Sequence, residues 1–179
     1  MAGAESLSVI VLGIDPGLAS TGYGVVTTAR TAAGDGRLRA LDGGVIETPA
    51  GASPEARLAE IHARIDALLL AHAPEAMALE ELYFGQNAKT AFAVGQARGV
   101  VMLAAGQRGI ACASYTPQQV KGAVCGSGRA DKEQVARMVK ALLGLASEPR
   151  SEHMGDALAV AICHANHAPV AAALAGVGA

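Results

Sequence analysis

Three strand-like runs follow one another near the start of this 179-residue chain, and after them helix and strand patterns alternate. Few architectures accept that order. Ser8 to Ile14 is almost continuously apolar, the mark of a strand buried on both faces. Gly22 to Thr28 and Leu38 to Glu47 come next, joined by short links rich in Gly and Asp that suit hairpins and antiparallel pairing. Ser53-Pro54 then opens a helix, an N-cap followed by proline at the first helical position. Leu58, Ile61, Ile65, Leu68 and Leu69 form its apolar stripe, and Pro74 marks its end.

The second half continues the alternation. Ala76 to Leu82 reads as a strand and Asn87 to Ala105 as a helix, with Ala88, Ala91, Gly95 and Gly99 along one side. Such small residues lower intrinsic helix stability and let another helix come close. Ile110 to Tyr115 is a fifth strand, and Thr116-Pro117-Gln118-Gln119 has the form of a capping box. A Gly/Ser loop, Cys125 to Ala130, leads to a helix over Asp131–Leu143, and a last helix spans Ser151–Ala165. The expected fold is α/β: a mixed five-stranded sheet with helices on both faces. It forms one domain over residues 1–166, and 167–179 is expected to be a flexible, Gly- and Ala-rich tail.

With 51% hydrophobic and 17% charged residues, disorder is excluded. No apolar run reaches the roughly 20 residues of a spanning helix. Met1 to Ser8 lacks the basic start of a secretory leader, so a cytoplasmic protein without a membrane partner is expected. Cys112, Cys125 and Cys163 are too scattered for a disulfide framework or a zinc site and are expected to be buried as small apolar residues. A net charge of −2 argues against nucleic-acid binding if taken whole. Its distribution argues otherwise. Between Arg98 and Lys140, Arg108, Lys121, Arg129, Lys132 and Arg137 add to the basic count, and only Asp131 and Glu133 oppose it.

An acid at the end of a buried strand needs a reason, because burying a carboxylate costs several kcal/mol unless it is paired or bound to metal. Asp15 directly follows the first apolar run, and Glu80 follows Ala76-Met77-Ala78-Leu79 in the same way. Asp156 lies in an apolar helix, with His153 three residues earlier on the same helical face. Taken singly, each has a plain structural reading: a turn cap, a surface charge at a strand end, a residue favoured by the helix dipole. Three converging carboxylates would repel one another. A divalent cation resolves that conflict, and an oxygen-rich site suits Mg²⁺ or Mn²⁺.

Four sequence blocks in order resemble the RuvC Holliday-junction resolvases. They are Gly13-Ile14-Asp15-Pro16-Gly17 with Thr21-Gly22-Tyr23-Gly24-Val25; Ala78-Leu79-Glu80-Glu81-Leu82-Tyr83-Phe84 with Asn87-Ala88 and Gly95-Gln96-Ala97-Arg98-Gly99; Pro117-Gln118-Gln119-Val120-Lys121 with Ala130-Asp131-Lys132; and Asp156-Ala157-Leu158-Ala159 with His164. The resemblance implies a ribonuclease H-like fold, a homodimer, and resolution of four-way junction DNA by paired nicks in recombination and repair, alongside the RuvA and RuvB branch-migration proteins. It also implies that Asp15, Glu80 and Asp156 are catalytic metal ligands for two divalent cations per subunit, with His153 standing where some members carry Asp. Lys121 and Lys132 match basic positions that serve DNA binding and catalysis, and Arg129 beside them is a further DNA-binding candidate. Tyr83 matches an aromatic that stacks on bases, with Phe84 assigned to the core, and Gln86 and Asn87 are candidates for reading bases.

Three rival functions share part of this pattern. The Asp15-Pro16-Gly17 turn also resembles a phosphate loop of actin-like ATPases, which need two such domains. A ribonuclease H proper would share the carboxylates without needing to dimerise. A non-catalytic junction-binding module would not need the three acids.

Overall fold

The computed structural model describes residues 8–30, 36–81 and 88–175. Three strands, β1 (Val9–Asp15), β2 (Ser20–Arg30) and β3 (Gly36–Glu47), lead into α1 (Pro54–His72), β4 (Ala76–Glu80), α2 (Ala88–Gln107) and β5 (Ala111–Tyr115). Helices α3 (Pro117–Cys125), α4 (Lys132–Leu143) and α5 (Glu152–Ala175) complete the chain. The sheet order is β3-β2-β1-β4-β5. β1–β2 and β2–β3 pair antiparallel, as the short links require, while β1–β4 and β4–β5 pair parallel.

Local chemistry sets the element boundaries. Ser53 caps α1 by accepting from the Ala56 N–H, with Pro54 in the first turn. Thr116 and Asp131 each build a full capping box, with Gln119 and Gln134 respectively. Gly126 and Gly144 end α3 and α4 in the left-handed conformation that glycine adopts without strain.

Successive strand residues point to opposite faces, so the sheet divides two cores between its sides. Leu12, Ile14, Val25, Met77 and Leu79 pack with Ile61, Ile65 and Leu69 of α1 and Ala97, Val101 and Ala104 of α2. Val11, Val26 and Ala78 face the other way, onto Val120 and Val124 of α3, Val135 and Val139 of α4, and Leu158 and Ile162 of α5. The same alternation places Asp15 with Val11 and Gly13, and Glu80 with Ala78, on the α5 side.

Glycines let α5 approach closely. A Cβ added to Gly13 would lie 2.1 Å from the Ala157 carbonyl oxygen, and one on Gly22 would lie 2.0 Å from that of His153. No side chain fits in either place. Gly22 is the antiparallel partner of Asp15, so this contact sets the start of α5 beside the end of β1.

Two expectations change. Helix α5 does not stop near residue 166 but runs through Pro169 to Ala175. Pro169 forgoes one backbone hydrogen bond, and the strongly helix-forming alanines around it carry the helix on. Cys163 is buried, but Cys125 is only partly covered and Cys112 is exposed, because β5 is an edge strand with little packed over it.

Gly13→Ala should destabilise the fold by roughly 1–3 kcal/mol or more, since a backbone carbonyl cannot yield to the added methyl. Gly122→Ala, in α3 with open space at its Cβ position, should instead be neutral or slightly stabilising. Urea denaturation of both variants checks the contrast.

Candidate active site

Asp15 and Glu80 end the two central parallel strands. Ile14 is in register with Leu79, so the two acids, one residue further along each strand, emerge side by side. The chain leaves β1 toward β2 and β3 and returns on the opposite side to β4, which makes this pair of strand ends a topological switch point, where open α/β sheets place their ligands. The turn after Asp15 is tied down. Thr21, fully buried, donates its hydroxyl to the Gly17 carbonyl at 2.7 Å, and Thr48 donates to the Leu18 carbonyl at 2.6 Å.

Helix α5 brings the other two groups. His153 and Asp156 share the face of its first turns that lies over these strand ends. The His153 imidazole donates from Nδ1 to Asp15 Oδ2 at 2.7 Å. That assignment leaves Nε2 as the nitrogen with a free lone pair, the arrangement that orients a metal-binding histidine. Asp15 is therefore not a simple turn cap.

The acids disturb one another. Burial pushes the Glu80 carboxyl up to about 7, and the negative charges of Asp156 and Asp15 add to the shift, against the opposing pull of Lys121 and Lys132. Asp156 is raised too, first by burial and then by Asp15, with Lys132, His153 and Lys121 opposing. Half-buried carboxylates that destabilise each other's charge, next to an imidazole, form a donor set that fits a hard divalent cation. As the side chains stand, no group of three or more His, Cys, Asp or Glu among the described residues is arranged to hold a metal ion.

The basic candidates separate into two groups. Lys121 of α3 and Lys132 of α4 both act electrostatically on Glu80 and Asp156, so they border the acids. Lys132 also pairs with Glu152, the residue just before His153. Sequence reasoning does not single out Glu152, because nothing local reveals that the start of α4 meets the start of α5. Arg129 stands apart, lining an open groove of about 460 Å³ with Arg137, Ser127 and Gln134. Tyr83, Phe84, Gln86 and Asn87 lie outside the described residues.

A mixed sheet with acids ending its central strands, and a helix laying a further acid and a histidine across them, defines a nuclease of the ribonuclease H-like fold. Comparison with known proteins narrows this to a family. The model for "Crossover junction endodeoxyribonuclease RuvC" matches residues 11–164, and the chain belongs to that family. It is 57% identical to the crossover junction endodeoxyribonuclease RuvC of Moorella thermoacetica over 160 residues, 89% of this chain and 93% of that one. The structure of Thermus thermophilus RuvC in complex with a Holliday junction substrate matches with a TM-score of 0.84 at 41% identity, covering 91% of this chain and 96% of the other. The yeast mitochondrial Holliday junction resolvase, at 15% identity and a TM-score of 0.58 over 86% of this chain and 77% of its own, shares the fold alone.

The raised Glu80 carboxyl has a consequence for stability. Between the usual 4.5 and about 7, the folded protein holds a proton on Glu80 that the unfolded chain has released. Without metal, stability is therefore lost as pH rises through that window. Glu80→Gln should remove this loss. Its melting temperature should pull ahead of wild type between pH 4.5 and 7 and stay ahead above, and millimolar Mg²⁺ or Mn²⁺ should narrow the gap by stabilising wild type. Thermal melts across pH with and without the cation check both effects.

Proposed function

We propose that this chain resolves four-way DNA junctions by paired, symmetric nicks, through phosphodiester hydrolysis assisted by divalent cations at Asp15, Glu80, Asp156 and His153. The observation that carries this reading is the convergence of three acids and a histidine where the central strands end under α5. Divalent cations bound there would lower the pKa of an attacking water and stabilise the departing 3′ oxygen. The chain's own residues do the rest. Asp15, central among the four, bridges the site. Glu80 and Asp156 flank it from neighbouring elements, and His153 offers Nε2 while its Nδ1–H holds Asp15 in place. Two Mg²⁺ or Mn²⁺ ions per subunit suit this donor set, and the imidazole favours Mn²⁺ as the softer partner.

DNA is held by the basic side. Lys121 and Lys132 border the acids and contact the phosphates nearest the cut, and Arg129 extends the track, so binding is salt-dependent. Tyr83 stacks on a base near the junction centre, a contact that contributes on the order of 1–3 kcal/mol, and Gln86 and Asn87 read bases beside it. The nuclease unit is residues 1–166, acting in the cytoplasm with RuvA and RuvB. No helix among the described residues is long and apolar enough to cross a membrane.

Paired nicks need two sites related by a two-fold axis, which a homodimer provides. Helix α2 offers the surface. Phe92, Met102 and Leu103 are 69%, 43% and 55% exposed, and Gly99 between them has open space around its Cα. Large apolar groups flanking a small residue on one helix face suit close packing against its own copy.

Asp15→Asn, Glu80→Gln and Asp156→Asn should each abolish junction cleavage and leave junction binding intact, because the acids hold metal and the basic residues hold DNA. Gel-shift and nicking assays on the same preparations check this, and any of the three that cuts near the wild-type rate loses its assignment. Wild type should have the mass of two chains by light scattering at micromolar concentration. Phe92→Asp combined with Leu103→Asp should give a folded monomer that no longer makes coordinated nicks.

A further inference from the structure

Glu80 is the last residue of a strand only five residues long. What keeps this end of β4 in place is a question that its own strand pairing answers only in part. The Glu81 N–H donates to the Tyr115 carbonyl at 2.8 Å, which continues the β4–β5 ladder one step. The remaining restraint comes from across the sheet. Arg98, on α2, donates from one guanidinium nitrogen to the Glu80 carbonyl oxygen at 2.6 Å and from another to the Ser114 hydroxyl at 2.5 Å. One planar fork thus bridges the last residue of β4 and the next-to-last residue of β5, and anchors both to α2.

Several features set this contact apart from a surface ion pair. Neither acceptor is a carboxylate: one is a backbone carbonyl and the other a hydroxyl. Arg98 is partly buried in a helix whose neighbours, Ala97, Val100 and Val101, pack toward the core. A charged side chain there must find acceptors, and it finds the backbone of the candidate metal ligand itself. Arg98 meets Glu80 at the backbone carbonyl and not at the carboxylate, so its hold is on the position of the strand end.

We propose that Arg98 is a positioning residue for Glu80, clamping the end of β4 so that the Glu80 carboxylate is presented to the divalent cation at the correct depth. This inference rests on the metal-assisted reading above. Groups that orient ligands from behind typically contribute a 10–100-fold factor to metal affinity. Lysine is a poor substitute, because a single ammonium lacks the planar fork that reaches two fixed acceptors.

The test is Mn²⁺ binding to the DNA-free protein, followed by the loss of the free-ion EPR signal, with melting temperatures measured alongside. Arg98→Ala should raise the Mn²⁺ concentration for half-occupancy about tenfold or more. Arg98→Lys should recover part of that loss, and Ser114→Ala, which frees one arm of the fork, should weaken binding to a smaller extent. Arg108→Ala is the control. It removes a bidentate arginine pair between the residue just after α2 and Asp66 of α1, so it reports general loss of stability without touching β4. Wild-type Mn²⁺ affinity in Arg98→Ala, or equal weakening in Arg98→Ala and Arg108→Ala, overturns the clamp. Should Arg98→Ala fail to fold, unshifted binding in both Arg98→Lys and Ser114→Ala overturns it. Wild-type protein that takes up no Mn²⁺ removes the metal reading itself and the clamp with it, an outcome distinct from a variant that binds as wild type does.

Discussion

The seat of α5 on the glycines of β1 and β2 is the contact on which the rest of the site depends. Helices packed on sheets are normally held off by the side chains between them. Here Gly13 and Gly22 present bare backbone, and the carbonyls of Ala157 and His153 occupy the space where a methyl would stand. The helix therefore sits low enough for His153 to reach Asp15, and for Asp156 to feel the charge of Asp15. Because each side chain on a strand faces opposite to the next, the same seat determines which acids can be used. Asp15 and Glu80 fall on the α5 side by parity with Gly13 and Ala78.

That seat has an electrostatic cost: burial first, and then the charge of the neighbouring acids, raise the carboxyls of Glu80 and Asp156. A protein selected for stability alone would not gather acids against a buried sheet end. The basic residues placed around them, Lys121 and Lys132, reduce the repulsion only in part. In the proposed reaction that residual repulsion favours positive charge, with cations on the acids and the DNA backbone on the lysines at their border.

Much of this was legible in the sequence, for physical reasons. The antiparallel pairing of the first three strands followed from link lengths, since hairpins can be short and parallel crossovers cannot, but the order β3-β2-β1-β4-β5 did not. The helix starts at Ser53, Thr116 and Asp131 were readable because capping is a local matter of a few residues. The acids stood out because a charge at the end of an apolar run is costly. Contacts between distant segments were not legible. Nothing near Arg98 reveals that its acceptors lie on β4 and β5, and nothing near Lys132 reveals Glu152 as its partner. An edge strand has the same apolar look as a central one, so Cys112 was expected inside and lies exposed. The Gly- and Ala-rich composition after residue 166 reads as a tail, yet a long alanine-rich helix continues there and absorbs the hydrogen bond lost at Pro169.

Central to the proposed function is that the acids gathered under α5 cut both of two symmetry-related strands at a four-way junction. The direct measurement is to incubate the purified protein with a mobile four-way junction and Mg²⁺ or Mn²⁺, and to map the nicks on every strand. Nicks at symmetric positions on two opposing strands, dependent on the cation and absent from linear duplex of the same sequence, are the predicted result. Equal cutting of linear duplex, or nicks without symmetry on the junction, would contradict it.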